Sequence, residues 1–144
     1  GKGKDQEVSQ AVAAAGVAQR WHVIDYLSTM EDALAVADLV VCRSGAGTVA
    51  EMTALGLPCV YVPLPIGNGE QKLNAADHVA HGGALLVADS DLNSHYVCEK
   101  ILPLLGSAEL QQMAQASRAL AQPDGALKLA DLIESTLHGK KAEK

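Results

Sequence analysis

The sequence is short of aromatic residues and, through its middle, of positive charge. It has no Phe, one Trp and three Tyr. Its core must therefore be built from Ala, Val and Leu, the usual filling of parallel strands covered by helices. Between Trp21 and Glu99 ten acidic residues stand against two basic ones, Arg43 and Lys72, and the formal net charge is −6. That balance argues against nucleic acid as a partner, because phosphate backbones are held by clustered Lys and Arg. The three cysteines, Cys42, Cys59 and Cys98, show no C-x-x-C spacing, which speaks against a disulfide scaffold and for a reducing compartment. His78 and His81 share an expected helix but have no third ligand nearby, so no metal is expected. No apolar run approaches transmembrane length, and the opening GKGKDQEV is not a signal peptide. The expectation is a soluble, cytoplasmic chain.

What the sequence does have is alternation. At 144 residues it is one domain or a large piece of one. Residues 5–15 read as a helix ended by Gly16, Trp21 to Leu27 as a short strand, and Met30 to Ala37 as a helix. Asp38 to Cys42, Cys59 to Leu64 and Ala84 to Ala88 read as strands. Between them lie a helix that Gly56 and Pro58 terminate and a helix from Glu70 to His81. Asp89 to Asp91 would cap a helix reaching about Leu105, and two more follow near 107–121 and 124–138, separated by Pro123. Strands alternating with helices of this length predict an α/β fold with a parallel sheet. Ligands of such sheets bind at the carboxyl ends of the strands.

Two loops fall at that edge. The first is Arg43-Ser44-Gly45-Ala46-Gly47-Thr48, where a strand stops and a helix begins at once. Such a junction aims unpaired N–H groups at one point, where a phosphate can sit. Glu51 follows about one turn after Thr48, placed to accept hydrogen bonds from a ribose diol. A nucleotide diphosphate is the leading ligand of this reading. The same residues also fit a plain strand-to-helix turn with a solvated Glu51, since this is neither a Walker A loop nor a G-x-G-x-x-G fingerprint. The second loop, from Pro63 to Gly69, leads into Glu70, Gln71 and Asn74. Amides and carboxylates there can grip several sugar hydroxyls.

Together the stretch ADLVVCRSGAGTVAEMTALGLPCVYVPLPIGNGEQKLNA resembles the donor-binding half of the family 28 GT-B glycosyltransferases of the MurG type, and the resemblance covers nearly the whole chain. It implies a Rossmann-like carboxy-terminal half of a two-domain enzyme. It also implies an inverting transfer of N-acetylglucosamine from UDP-GlcNAc onto lipid I, giving lipid II for peptidoglycan. By matching positions, Ser44, Gly45, Ala46, Gly47 and Thr48 would hold the UDP phosphates and Glu51 the ribose. Leu27 would meet the uracil, and Glu70 and Gln71 would read the sugar, with Asn74 one turn on. Many relatives carry Leu in place of Gly47 and Gln or His in place of Glu70.

The resemblance further implies a UDP-sugar domain over residues 1–138. The last six residues, 139–144, read as a frayed basic tail, and with no Asp-x-Asp motif no metal or cofactor is expected. On this resemblance the family's acceptor-binding amino-terminal domain and the first strand of its donor domain are expected to lie outside this sequence. Lipid I contact and peripheral attachment to the cytoplasmic face of the membrane would belong to that domain. No general base is assigned here, so no catalytic residue is expected in this chain. A sheet lacking a strand would expose an edge, predicting marginal stability or self-association. Two alternatives stay open: another acceptor within the same class, or a non-enzymatic nucleotide-binding or protein-interaction module.

Overall fold

A computed structural model describes residues 3, 5–121 and 124–139, the last two through their backbone only. Pro123 and the tail beyond Gly139 lie outside the described residues. Contacts divide the chain into two compact units, Gly1–Ala37 and Asp38–Lys144.

The first unit holds α1 (Asp5–Ala14) and α2 (Met30–Val36). α1 closes as its sequence predicts, with Gly16 in the left-handed region (φ 68°) and Val17 N–H returning to the Val12 carbonyl at 3.3 Å. The strand expected over Trp21–Leu27 does not form. The run has no ladder partner among the described residues, and Trp21, Ile24 and Tyr26 are 60%, 61% and 62% exposed. Strand preference in a sequence measures fit to a pleated, half-buried surface. Without a strand beside it among the described residues, the run stays irregular.

The second unit is a βαβαβ core. Strands β1 (Val40–Cys42), β2 (Cys59–Tyr61) and β3 (Ala84–Leu86) form one parallel sheet in that order. Helix α3 (Ala46–Leu55) joins the first pair and α4 (Glu70–Ala80) the second. The strands are shorter than their apolar runs, although one further bond, Val62 N–H to the Cys42 carbonyl at 2.9 Å, extends β2 before Pro63. Proline has no N–H to continue a ladder. The register sets Cys42, Tyr61 and Leu86 level, so the loops after all three strands leave from one edge. On one face of the sheet Val60 and Val62 meet Val87 and Ile101. On the other, Tyr61 meets His78 of α4. α3 packs against α4 and α6 (Ala108–Ala119).

The helix expected to be capped by Asp89–Asp91 is instead capped by Asn93, whose side chain accepts from Tyr96 N–H at 3.0 Å. Asp89 is taken by Arg43. The helix also breaks up, with α5 (Ser94–Tyr96) passing into a π turn (Val97–Ile101) and a 3-10 turn (Leu102–Leu104). Pro103 lies inside it, lacking an N–H and crowding the carbonyl four residues back. Finally, α7 (Gly125–Gly139) carries Leu127, Leu129, Leu132, Ile133 and Leu137 exposed.

Candidate functional site

The carboxyl edge of the second unit is organised around the start of α3. Gly45 is its N-cap, in extended conformation, and has no side chain to cap with. The first helical bond runs from Val49 N–H to the Gly45 carbonyl at 3.0 Å. The N–H groups of Ala46, Gly47 and Thr48 have no acceptor among the described residues. Most helices satisfy these groups with a Ser, Thr, Asp or Asn cap. Here Ala46 and Gly47 are exposed, Gly45 and Thr48 partly so. Three donors without an acceptor and the positive end of a helix thus lie together on exposed or partly exposed residues. Glu51 is exposed and unpaired among the described residues.

Ser44 differs from its neighbours. It is fully enclosed, and its Oγ has no hydrogen-bond partner. After it the chain returns to the surface, partly at Gly45 and more fully at Ala46 and Gly47. The Ser44 carbonyl accepts from Asn74 Nδ2 at 3.2 Å, tying α4 to the loop. A second tie runs from Leu64 N–H to Gln71 Oε1 at 3.0 Å and fixes the loop after β2. Gln71 keeps its Nε2 donors for other use. Glu70 is exposed at the first position of α4, behind the left-handed N-cap Gly69 (φ 77°).

Arg43 draws the same edge together. Its Nη1 donates to the Val62 carbonyl at 3.1 Å and the Pro63 carbonyl at 3.3 Å, and pairs with Asp89. It thus links the ends of all three strands. A cavity of about 290 Å³ lies beside it, lined by Val41, Cys42, Val62, Asp89 and Leu92. Its charged partner is thus the carboxylate of Asp89.

Leu27 lies in the first unit, partly buried. The structure gathers Ser44 through Thr48, Glu51, Glu70, Gln71 and Asn74 in the second. Among the described residues no three His, Cys, Asp or Glu side chains gather as a metal site, and no helix is long and apolar enough to cross a membrane.

A second polar cluster lies beneath, and sequence reasoning did not find it. Tyr61 Oη lies 2.9 Å from His78 Nδ1, His78 Nε2 lies 2.9 Å from Ser117 Oγ, and Ser117 Oγ donates to the Leu57 carbonyl at 3.3 Å. Because Ser117 spends its proton on Leu57, His78 must donate through Nε2 and accept at Nδ1. Every member is then satisfied by a neutral imidazole. Burial pushes the His78 pKa down, and Asp77 opposes this more weakly. Burial likewise pushes the Tyr61 phenol up. The available signal was a Tyr in an apolar strand, whose hydroxyl needs a buried partner.

Comparison with known proteins matches this geometry to one family. The pattern of the glycosyltransferase family 28 C-terminal domain fits residues 1–132. A relative from Clavibacter michiganensis subsp. michiganensis is 48% identical over 120 residues, covering 83% of this chain and 33% of its own length. It is named UDP-N-acetylglucosamine–N-acetylmuramyl-(pentapeptide) pyrophosphoryl-undecaprenol N-acetylglucosamine transferase. A protein of the same name from Mycolicibacterium smegmatis is 51% identical over 110 residues, covering 76% of this chain and 29% of its own length. The crystal structure of Acinetobacter baumannii MurG superposes with a TM-score of 0.81 at 31% identity, covering 93% of this chain and 41% of that one. The chain thus spans about a third of the length of the curated relatives it matches. It belongs to the glycosyltransferase family 28 C-terminal domains, with the Rossmann-like α/β fold of that family.

Proposed function

We propose that this chain is the UDP-GlcNAc-binding part of an inverting glycosyltransferase that transfers N-acetylglucosamine to lipid I. The observation that carries the reading is the uncapped start of α3, on exposed or partly exposed residues at the carboxyl edge of a parallel sheet, with Glu51 exposed one turn on. The amides of Ala46, Gly47 and Thr48 bind the diphosphate, and Glu51 accepts from the ribose hydroxyls. Glu70 and the free Gln71 amide meet the sugar. Leu27 is assigned to the uracil by its position in the family pattern. Ser44 and Asn74 belong to the site through the loop they hold.

During transfer the acceptor hydroxyl bonds to the anomeric carbon while the bond to the β-phosphate oxygen breaks. UDP leaves with that electron pair, and charge builds on the phosphate. Donors fixed at the leaving oxygen stabilise it more in the transition state than in the ground state. The proton of the acceptor hydroxyl goes to a base that this chain is not assigned. Lipid I, the acceptor domain and attachment to the cytoplasmic face of the membrane belong to the whole enzyme in this proposal.

Calorimetric titration of the chain with UDP and UDP-GlcNAc tests the reading. Both should bind, and Glu51→Ala should weaken both by roughly tenfold or more, the loss of a hydrogen bond to a charged group. A folded chain that binds neither would leave a nucleotide-independent module as the better account.

A further inference from the structure

We infer that Asn74 is a positioning residue for the α3 junction and not a reader of the donor sugar. This rests on the donor-binding reading above. Its position one turn into α4, beside Glu70 and Gln71, makes it look like a third sugar ligand. The structure gives its donor another use. Asn74 Nδ2 reaches across 30 positions of sequence to the carbonyl of Ser44, the residue just before the N-cap of α3.

The junction needs such a hold. Glycines at 45 and 47 leave the turn almost without packing: a Cβ at Gly47 would meet nothing within 4 Å, and one at Gly45 only Thr48 Oγ1 at 4.0 Å. The Ser44 hydroxyl contributes no tie of its own, having no partner. Ser44 is held by its burial and, on the strand side, by the ties of Arg43; the Asn74 bond is the side-chain tie made to Ser44 itself, next to the Ala46, Gly47 and Thr48 amides. α4 is a firm anchor, because Ala75 and His78, one and four positions after Asn74, are buried in the core. Asn74 carries that rigidity to the turn. A preorganised donor set binds its anion without a further ordering cost.

The consequence separates positioning from contact. A sugar reader matters only when a sugar is present. A residue that aims the diphosphate amides matters equally for UDP and UDP-GlcNAc. The test compares the parent chain with Asn74→Ala and Asn74→Leu, which remove the donor without adding charge. Both variants should weaken UDP and UDP-GlcNAc by the same factor, roughly three- to tenfold for one neutral hydrogen bond. In the ligand-free chain the Val49 amide, which closes the first turn of α3, should exchange with solvent faster by a similar factor. Unchanged UDP affinity with weakened UDP-GlcNAc binding would make Asn74 a sugar contact and overturn the inference. So would unchanged Val49 exchange. If the parent chain binds neither ligand, the donor-binding reading fails, and the positioning role is then decided by Val49 exchange alone.

Discussion

Two polar clusters are supported by the same helix, and they are finished in opposite ways. Around His78, on the inner face of α4, every donor and acceptor from Tyr61 to the Leu57 carbonyl has its partner. At the start of α3, tied to α4 through Asn74, three N–H groups and a carboxylate on exposed or partly exposed residues are left without partners among the described residues. Buried polar groups that only support a fold complete their hydrogen bonds inside it, because an unmade one costs about 1–3 kcal/mol. Open donors at a sheet's carboxyl edge meet solvent, and in the donor-binding proposal they meet a diphosphate. An open helix start is not special in itself, since α4 also begins uncapped at Gly69; what sets the α3 start apart is its place at the end of β1 and its tie to Asn74.

The closed cluster breaks hardest at Gly83. A Cβ there would run into the His78 ring and stand 3.2 Å from the Ser117 backbone. Gly83→Ala should destabilise the second unit by about 3 kcal/mol or more, since neither the packed imidazole nor the backbone of α6 can give way. Urea unfolding followed by far-UV circular dichroism measures it. A loss below about 1 kcal/mol would show the cluster to be looser than drawn.

Two serines sharpen the comparison next. Ser117→Ala removes a hydroxyl that both accepts from His78 and donates to Leu57, and should cost about 1–3 kcal/mol. Ser44→Ala removes an equally buried hydroxyl with no partner, and its effect should lie within about 0.5 kcal/mol of zero or be stabilising. The same unfolding curves compare them directly. Equal losses would erase the distinction between finished and unfinished sites.

Acid gives the smallest and most graded effect. Unfolded, His78 titrates near 6.5, while in the fold burial holds it lower. Above about pH 7.5 both states carry a neutral ring and this group adds no pH dependence. As pH falls through 6.5 the unfolded chain takes up a proton that the folded chain does not, so stability declines, and it levels off below the folded value. His78→Gln, which titrates nothing, should flatten that decline between pH 7 and 5 relative to the parent. An identical slope in both would assign the dependence to other groups.

How much of this was readable from the chain follows from where each instruction resides. Helix ends written in local sequence came through: Gly16 closes α1 and Gly56 closes α3. Gly56 serves twice, since it takes φ 67° and a Cβ there would also strike the Arg118 side chain. The helix expected near 107–121 starts there, with Ser107 as its cap accepting from Leu110 N–H at 3.1 Å. The parallel sheet was legible because buried strands read as unbroken apolar runs. What failed depended on partners far away in sequence. Trp21–Leu27 has the composition of a strand but no ladder among the described residues. Asp89 has the chemistry of a cap but answers to Arg43, so the cap passes to Asn93. The junction at Ser44–Thr48 was legible as a turn. That Ser44 is buried while the residues just after it are exposed or partly so could be seen only in three dimensions.

The central claim is that the α3 amides form the diphosphate seat. Titration of the isotopically labelled chain with UDP, followed by amide resonances, tests it most directly. Saturable shifts should be largest at Ala46, Gly47 and Thr48, with Glu51 next and the amides of β2 nearly still. Saturable binding whose shifts fall elsewhere, with those three amides unmoved, would contradict it.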